Sequence, residues 1–129
     1  MPTQVNILVV DDEDVILQGV KKLLKPDEDY TYKLDMVKSA VDGLQYVRQN
    51  RYDVIITDLM MPGMDGLQFL QRVKAVDPKV RIVMITGYAT LETAMEAQAK
   101  GAFGYIAKPY TNEEFRSIIK RALVYREND

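Results

Sequence analysis

The sequence predicts an α/β protein, a doubly wound (βα)5 domain spanning residues 1–129 with a five-stranded parallel sheet. Three observations predict it. Strand-like and helix-like segments alternate five times along the chain. The runs Val5–Val10, Asp53–Thr57 and Arg81–Ile85 are nearly continuous apolar stretches, which suits strands covered on both faces rather than the alternation of a half-exposed antiparallel sheet. At 129 residues the chain fits one ordinary core, since a domain of this size buries roughly two thirds of the surface its unfolded form exposes.

The elements follow in order. The first strand, Val5–Val10, leads to a helix over Asp14–Lys25, and Pro26 discourages its continuation. A second strand is expected around Lys33–Lys38, then a helix over Ala40–Asn50 with Ser39 as N-cap. The third strand, Asp53–Thr57, runs into a turn punctuated by Pro62, Gly63 and Gly66, before a helix over Gly66–Val76 that Pro78 closes. The fourth strand, Arg81–Ile85, precedes a helix over Leu91–Lys100, and the fifth, Phe103–Ala107, precedes one over Asn112–Arg126. That last helix has the clearest pattern: Phe115, Ile118, Ile119, Ala122 and Leu123 share a face, and Thr111 with Glu114 has capping-box spacing. No repeat, linker or low-complexity tract divides the chain.

Composition narrows the chemistry. A hydrophobic fraction of 47% with 28% charged residues is that of a soluble globular protein, and no apolar run approaches the ~18 residues of a membrane span. The N-terminus lacks a cationic stretch followed by a long apolar region, so a cytoplasmic location is expected. The absence of cysteine excludes disulfides and thiolate metal sites. The absence of histidine removes the commonest transition-metal ligand and the usual general base, so any metal must be a hard ion held by oxygen: magnesium, manganese or calcium. A net charge of −2 and a pI near 5.2 argue against nucleic-acid binding by this domain.

Parallel strands bring their carboxyl ends to one edge, where open α/β sheets bind ligands. Asp11 and Asp12 follow the first strand, Asp58 the third, Thr86 the fourth and Lys108 the fifth. In a sheet of order 2-1-3-4-5 the acids flank the switch point between strands one and three. Paired carboxylates repel and raise one another's pKa unless a cation intervenes, and magnesium takes carboxylates, waters and a phosphate oxygen. A calcium loop would need spaced ligands and a glycine that the cluster lacks. For Glu13 and Asp14 an ordinary role as acids at a helix N-terminus and a part in the acidic cluster are both open. The Asp58 carboxylate is a competent nucleophile toward phosphorus, forming an acyl phosphate, provided a cation shields the incoming dianion. Alone, Thr86 is an ordinary strand-ending residue and Lys108 an ordinary solvated lysine; together at adjacent strand ends they become a hydroxyl donor and a point charge for phosphate oxygens. The Lys108–Pro109 linkage is a candidate cis peptide that would aim Lys108 inward. For Tyr105, spacing leaves a core role and a movable role both open.

The stretches Ile7 to Asp12, Val54 to Gly66, Val83 to Gly87 and Tyr105 to Pro109 together resemble the receiver domain of two-component response regulators, over essentially the whole chain. The resemblance implies a flavodoxin-like sheet in the order 2-1-3-4-5. It implies that Asp58 is phosphorylated, that Asp12, Asp58 and the Met60 carbonyl ligate Mg2+ (with Mn2+ as a substitute), and that Asp11 acts mainly through a bound water. By the same resemblance Thr86 and Lys108 bind the phosphoryl oxygens, and Tyr105 turns inward as Thr86 moves, altering the surface of the fourth helix, fifth strand and fifth helix. Met60 and Tyr88 stand where the family tunes phosphoryl lifetime, and the bulk of Tyr88 is expected to slow attack by water. The partners implied are a sensor histidine kinase or phosphotransfer protein, an output domain or target protein, and a phosphorylation-dependent homodimer; neither nucleic acid nor membrane is contacted directly. Such a domain is a phosphoacceptor regulator that catalyses only its own phosphorylation and dephosphorylation, not an enzyme with a separate substrate.

Two rivals fit less well. An aspartate-nucleophile phosphatase would place nucleophile and general acid two residues apart at the first strand, whereas Asp58 is on the third and Met60 is its second neighbour. A flavin- or nucleotide-binding module would need a Gly- or Ser/Thr-rich phosphate loop where Asp11 to Asp14 stand. The polar end Arg126, Glu127, Asn128, Asp129 suits both a stand-alone regulator and part of a longer chain.

Overall fold

The computed structural model describes residues 1–127; Asn128 and Asp129, part of the polar end, lie outside them. Strands and helices alternate as β1 (Thr3–Val10), α1 (Asp14–Leu23), β2 (Tyr30–Val37), α2 (Ala40–Gln49), β3 (Val54–Asp58), α3 (Gly66–Val76), β4 (Arg81–Thr86), α4 (Leu91–Ala99), β5 (Gly104–Ala107) and α5 (Asn112–Glu127). The strands form one parallel sheet in the order β2-β1-β3-β4-β5. This is the predicted flavodoxin-like architecture, with the switch point between β1 and β3.

The continuous apolar strands divide their residues between two layers, because successive side chains of a strand point to opposite faces. Val5, Ile7 and Val9 of β1, Val54 and Ile56 of β3, and Val83 and Ile85 of β4 pack with α1 and α5. Leu8 and Val10, Ile55, Ile82 and Met84 pack with α2, α3 and Ala97 of α4 on the other face. The predicted apolar face of α5 is buried throughout: Phe115, Ile118, Ile119, Ala122 and Leu123. Each fully buried aliphatic or aromatic side chain here contributes about 1.5–3 kcal/mol of transfer free energy, which makes β1, β3 and β4 the rigid centre of the domain.

The caps form as the spacing predicts. Ser39 Oγ accepts from Asp42 N–H at 3.1 Å. Thr111 Oγ1 accepts from Glu114 N–H at 3.0 Å, and Glu114 Oε1 accepts from Thr111 N–H at 3.4 Å.

Several boundaries differ from the sequence reading. Helix α1 ends at Leu23, not Lys25, because Leu24 leaves helical geometry (φ −95, ψ 67) and buries its side chain. Strand β2 begins at Tyr30, three residues before the expected start. It pairs along its full length, Thr3↔Tyr30 to Val10↔Val37, so backbone pairing rather than apolar pattern carries this edge strand through Thr31, Lys33 and Asp35. Asn50 and Lys100 are C-caps rather than the last helical residues. Asp58 and Thr86 belong to their strands instead of following them, while Phe103 stands just outside β5.

Candidate functional site

At the carboxyl end of the sheet, the strand order converts residues far apart in sequence into neighbours. Val10 pairs with Thr57, Asp58 with Ile85 and Thr86 with Ala107. Asp11, Asp58, Thr86 and Lys108 therefore follow one another across β1, β3, β4 and β5, with Asp12 one residue further out.

Lys108 is the centre of this arrangement. Its Nζ lies 3.0 Å from Asp58 Oδ2, 3.2 Å from Asp11 Oδ2 and 3.7 Å from Glu13 Oε1. The Lys108–Pro109 bond is cis, as expected, and the lysine side chain points inward onto the acids. Its backbone N–H donates to Thr86 O at 2.8 Å, tying the ends of β4 and β5 together.

Asp11 and Asp58 are buried, whereas Asp12 and Glu13 are exposed. One carboxylate oxygen from each of Asp11, Asp12, Glu13 and Asp58 comes within 4.8 Å of the others, a grouping that could hold a metal ion. Burial pushes the Asp11 carboxyl above its ordinary value, against the lowering effects of the Glu13 N–H (2.9 Å from Oδ1) and of Lys108. For Lys108 desolvation works downward, but its hydrogen bonds and attraction to Asp58 and Asp11 prevail and its pKa rises. A single ammonium faces four carboxylates here, so a net negative site of hard oxygen donors remains. Those donors fit magnesium, which takes oxygen ligands and holds them through carboxylates.

The loop after β3 holds Asp58 in place. Met60 N–H donates to Asp58 Oδ1 at 3.1 Å, and Gly66 N–H closes the turn on Leu59 O at 2.8 Å. Gly63 takes φ +81 at the tip, the left-handed region open to glycine. Thr86 is fully buried, and its Oγ1 accepts from Tyr88 N–H at 3.0 Å, which fixes the hydroxyl at the base of the site. Asp12, Glu13, Asp58, Met60, Thr86, Gly87, Tyr88 and Lys108 line an open cleft of about 330 Å³. That volume admits a phosphoryl group with its coordinating waters and leaves it exposed to a partner.

Tyr105 is neither fully buried nor exposed. It pairs with Met84 in the β4–β5 ladder, and so lies on the same face of the sheet as Thr86. Its ring is half-buried against the α2–α3 layer, while its hydroxyl sits 2.6 Å from Thr93 Oγ1 on α4. Two further residues in this region, Glu13 and Thr93, bear on the site. Glu13, for which the sequence leaves a helix-dipole role and a cluster role both open, is the N-cap of α1, makes no side-chain capping bond and extends the acid group. Thr93 carried only a helical position, and no signal in the sequence links it to a residue on β5. Asp14 points elsewhere, pairing with Lys38 at 2.8 Å.

A larger cavity of about 580 Å³ opens at the other end of the sheet, walled by Arg48, Arg51, Asp77 and Lys79. It lies where α2 and α3 end, and cations there answer the negative ends of the two helix dipoles.

The sequence model of the response regulator receiver domain matches residues 7–120. Sporulation initiation phosphotransferase F of Bacillus subtilis is 33% identical over 126 residues, covering 95% of this chain and 97% of that protein. Transcriptional regulatory protein ZraR of Escherichia coli is 31% identical over 121 residues; the match covers 94% of this chain but 27% of that longer protein. Among solved structures, a CheY-like receiver domain protein from Methanospirillum hungatei superposes with a TM-score of 0.89 at 28% identity, covering 98% of both chains. The beryllofluoride-activated NtrC4 receiver domain dimer superposes with a TM-score of 0.86 at 30% identity, covering 94% of this chain and 98% of that one.

Proposed function

The chain belongs to the receiver domains of two-component response regulators, and from that premise we propose that Asp58 is its phosphoacceptor, served by Lys108 and Thr86. The observation that carries this assignment is the placement of Lys108 Nζ 3.0 Å from Asp58 Oδ2 and 3.2 Å from Asp11 Oδ2 at the end of a buried strand. An ammonium there is positioned for an oxygen of a group bonded to Asp58, and the Thr86 hydroxyl reaches a second oxygen.

Asp12, Asp58 and the Met60 carbonyl would hold a magnesium ion, for which manganese would substitute, and Asp11 would support it. When bound, the ion shields the dianion from the carboxylates and neutralises charge developing on the transferred phosphoryl oxygens. An Asp58 oxygen attacks phosphorus in line with the phosphorus–nitrogen bond of a phosphohistidine. A phosphorus–oxygen bond forms, the phosphorus–nitrogen bond breaks, and the electron pair leaves with the imidazole, which takes up a proton. Because the chain has no histidine, the donor is a partner: a sensor histidine kinase or a phosphotransfer protein. Catalysis is mostly positioning and electrostatics and is confined to the domain's own phosphorylation and dephosphorylation.

The phosphoryl group adds roughly −1.5 to −2 charges beside Thr86. Thr86 moves toward it, Tyr105 turns inward, and the α4–β5–α5 surface changes for an output domain, a target protein or a second copy of the chain. The nearly full-length match to a phosphotransferase supports a role in phosphotransfer, and the partial match to a transcriptional regulator supports an output domain as reader. Among the described residues no helix is long and apolar enough to cross a membrane. We place the domain in the cytoplasm, without direct contact to membrane or nucleic acid.

The test is incubation with acetyl phosphate, with and without Mg2+, followed promptly by intact mass. One added phosphate that requires both Mg2+ and Asp58 is expected. Phosphate retained by Asp58→Ala refutes the assignment.

A further inference from the structure

Thr93 stands on α4, outside the acid cleft, yet its hydroxyl is the most heavily engaged in this part of the molecule. Thr90 N–H donates to Thr93 Oγ1 at 3.1 Å, completing a capping box in which Thr90 Oγ1 accepts from Thr93 N–H at 3.1 Å. Thr93 Oγ1 also lies 3.1 Å from Thr90 O and 2.6 Å from the Tyr105 hydroxyl. A threonine hydroxyl has one proton to give and two lone pairs. If that proton goes to Thr90 O and one lone pair takes Thr90 N–H, the remaining lone pair receives the Tyr105 O–H. Thr90 Oγ1, 3.0 Å away, is a fourth neighbour beyond what that oxygen bonds at once, and the tyrosine hydroxyl and the N-cap of α4 share this single oxygen.

The helix that receives this tie is lightly held. Ala97 is the buried residue of α4, and Leu91 and Met95 are 77% and 60% exposed. A polar tie at its first turn therefore carries weight that a packed helix would spread over a core.

We infer that Thr93 is a positioning residue that holds Tyr105 away from Thr86 and couples the tyrosine's position to the N-terminus of α4. This rests on the phosphoacceptor reading above. In the described state the tyrosine hydroxyl is engaged by Thr93, so its inward turn must first break that bond. Breaking it frees a lone pair on Thr93 Oγ1 and leaves both bonds of the capping box in place, so the α4 N-terminus loses its tie to β5 as the tyrosine leaves. The switch and α4 are thus linked by one hydrogen bond as well as by packing.

The test uses the full chain labelled with fluorotyrosine, with the Tyr105 resonance assigned by its loss in Tyr105→Phe. In Thr93→Val the unliganded Tyr105 resonance is expected to move toward its position in wild type saturated with beryllofluoride and Mg2+. Beryllofluoride should bind this variant about three- to tenfold more tightly, the worth of one net hydrogen bond. Thr93→Ser, which keeps the hydroxyl, should behave as wild type. In a Tyr105→Phe background Thr93→Val should leave the affinity unchanged; the same tightening in both backgrounds would mean that Thr93 acts only as a cap, and would overturn the inference. So would an unmoved Tyr105 resonance. Failure of wild type to bind beryllofluoride, or binding that survives Asp58→Ala, overturns the phosphoacceptor reading and the coupling with it. Wild-type binding through Asp58 with a silent Thr93→Val overturns the coupling alone.

Discussion

Replacing Gly66 by alanine should damage the acid site from behind. Gly66 opens α3, and a Cβ built there falls 2.3 Å from Asp58 O, 2.8 Å from Leu59 Cα and 2.8 Å from Met84 Cε. The first distance is about 1.1 Å short of the 3.4 Å of ordinary contact. A methionine end can turn aside, but the other two obstacles are backbone, so β3 and α3 must separate. Overpacking of this kind costs about 1–3 kcal/mol. The gain in helix propensity from glycine to alanine offsets at most about 1 kcal/mol, while strain on the Gly66 N–H to Leu59 O bond adds up to about 1.5 kcal/mol. The net loss is about 1–3 kcal/mol, or several degrees in Tm. Because the displaced carbonyl belongs to Asp58, phosphate uptake should slow as well; a 1 Å misplacement at a reacting group costs on the order of 100-fold. Gly19→Ala is the control. Apart from its chain neighbours and its own helix backbone, no atom lies within 4 Å of its built Cβ, and the residue is inside α1, so alanine there should stabilise by about 0.5–1 kcal/mol. Urea unfolding and a time course of acetyl phosphate incorporation for both variants decide the matter. A Gly66→Ala protein as stable as wild type and phosphorylated at the wild-type rate would refute the argument.

Three other outcomes are expected. Asp27 accepts from Lys120 Nζ at 2.8 Å and from the N–H groups of Asp29 and Tyr30, and Lys120 first, then these backbone donors, hold its carboxyl down at about 2. A depressed carboxylate stabilises the fold above its unfolded pKa and loses that contribution as pH falls through its folded value of about 2, so Asp27→Asn should unfold at lower urea than wild type at pH 7, by a margin that shrinks as pH falls from about 4 toward 2. With the two side chains 44% and 35% exposed, the ion pair's share is below about 1 kcal/mol and is screened by salt. Mg2+ at 100 times its Kd should raise unfolding free energy by about 2.7 kcal/mol in wild type, and Asp12→Asn should lose most of this increment; an equal response in both proteins counts against Asp12 as a ligand. Tyr88→Ala, which strips a 63% exposed ring from the rim of the cleft, should shorten the lifetime of the phosphorylated protein as followed by intact mass, and an unchanged decay rate would end that reading.

The fold was legible because β1, β3 and β4 are buried on both faces, and such strands advertise themselves as uninterrupted apolar runs. Helix α3 was legible to the residue, with Asp65 accepting from Gln68 N–H at one end and Asp77 and Pro78 at the other. Strand β2 was displaced in the sequence reading because its alternating Thr31, Lys33 and Asp35 carry little apolar signal, and its start depends on pairing with Thr3 of another strand. The candidate site was legible wherever chemistry coincided with a strand end: Asp11, Asp12, Asp58, Thr86 and Lys108. Glu13 was only half legible, because an acid at a helix start has an ordinary explanation of equal weight. Thr93 was hidden because its contact with Tyr105 depends on how α4 lies beside β5, and no spacing along the chain encodes that.

The position of β1 in the sheet also decides when the acid cluster can exist at all. One edge of β1 is filled by β2, its near neighbour in the chain, but the other waits for residues 54–58. Asp11 and Asp12 ride on the early strand and Asp58 on the late one, so the acids straddle the seam between the segment ending with α2 and everything after it. Neither segment alone carries all four acids of the cluster. If the chain were severed between Asn50 and Arg51, metal affinity would belong to the reunited halves alone, and a magnesium titration would report their reassembly directly.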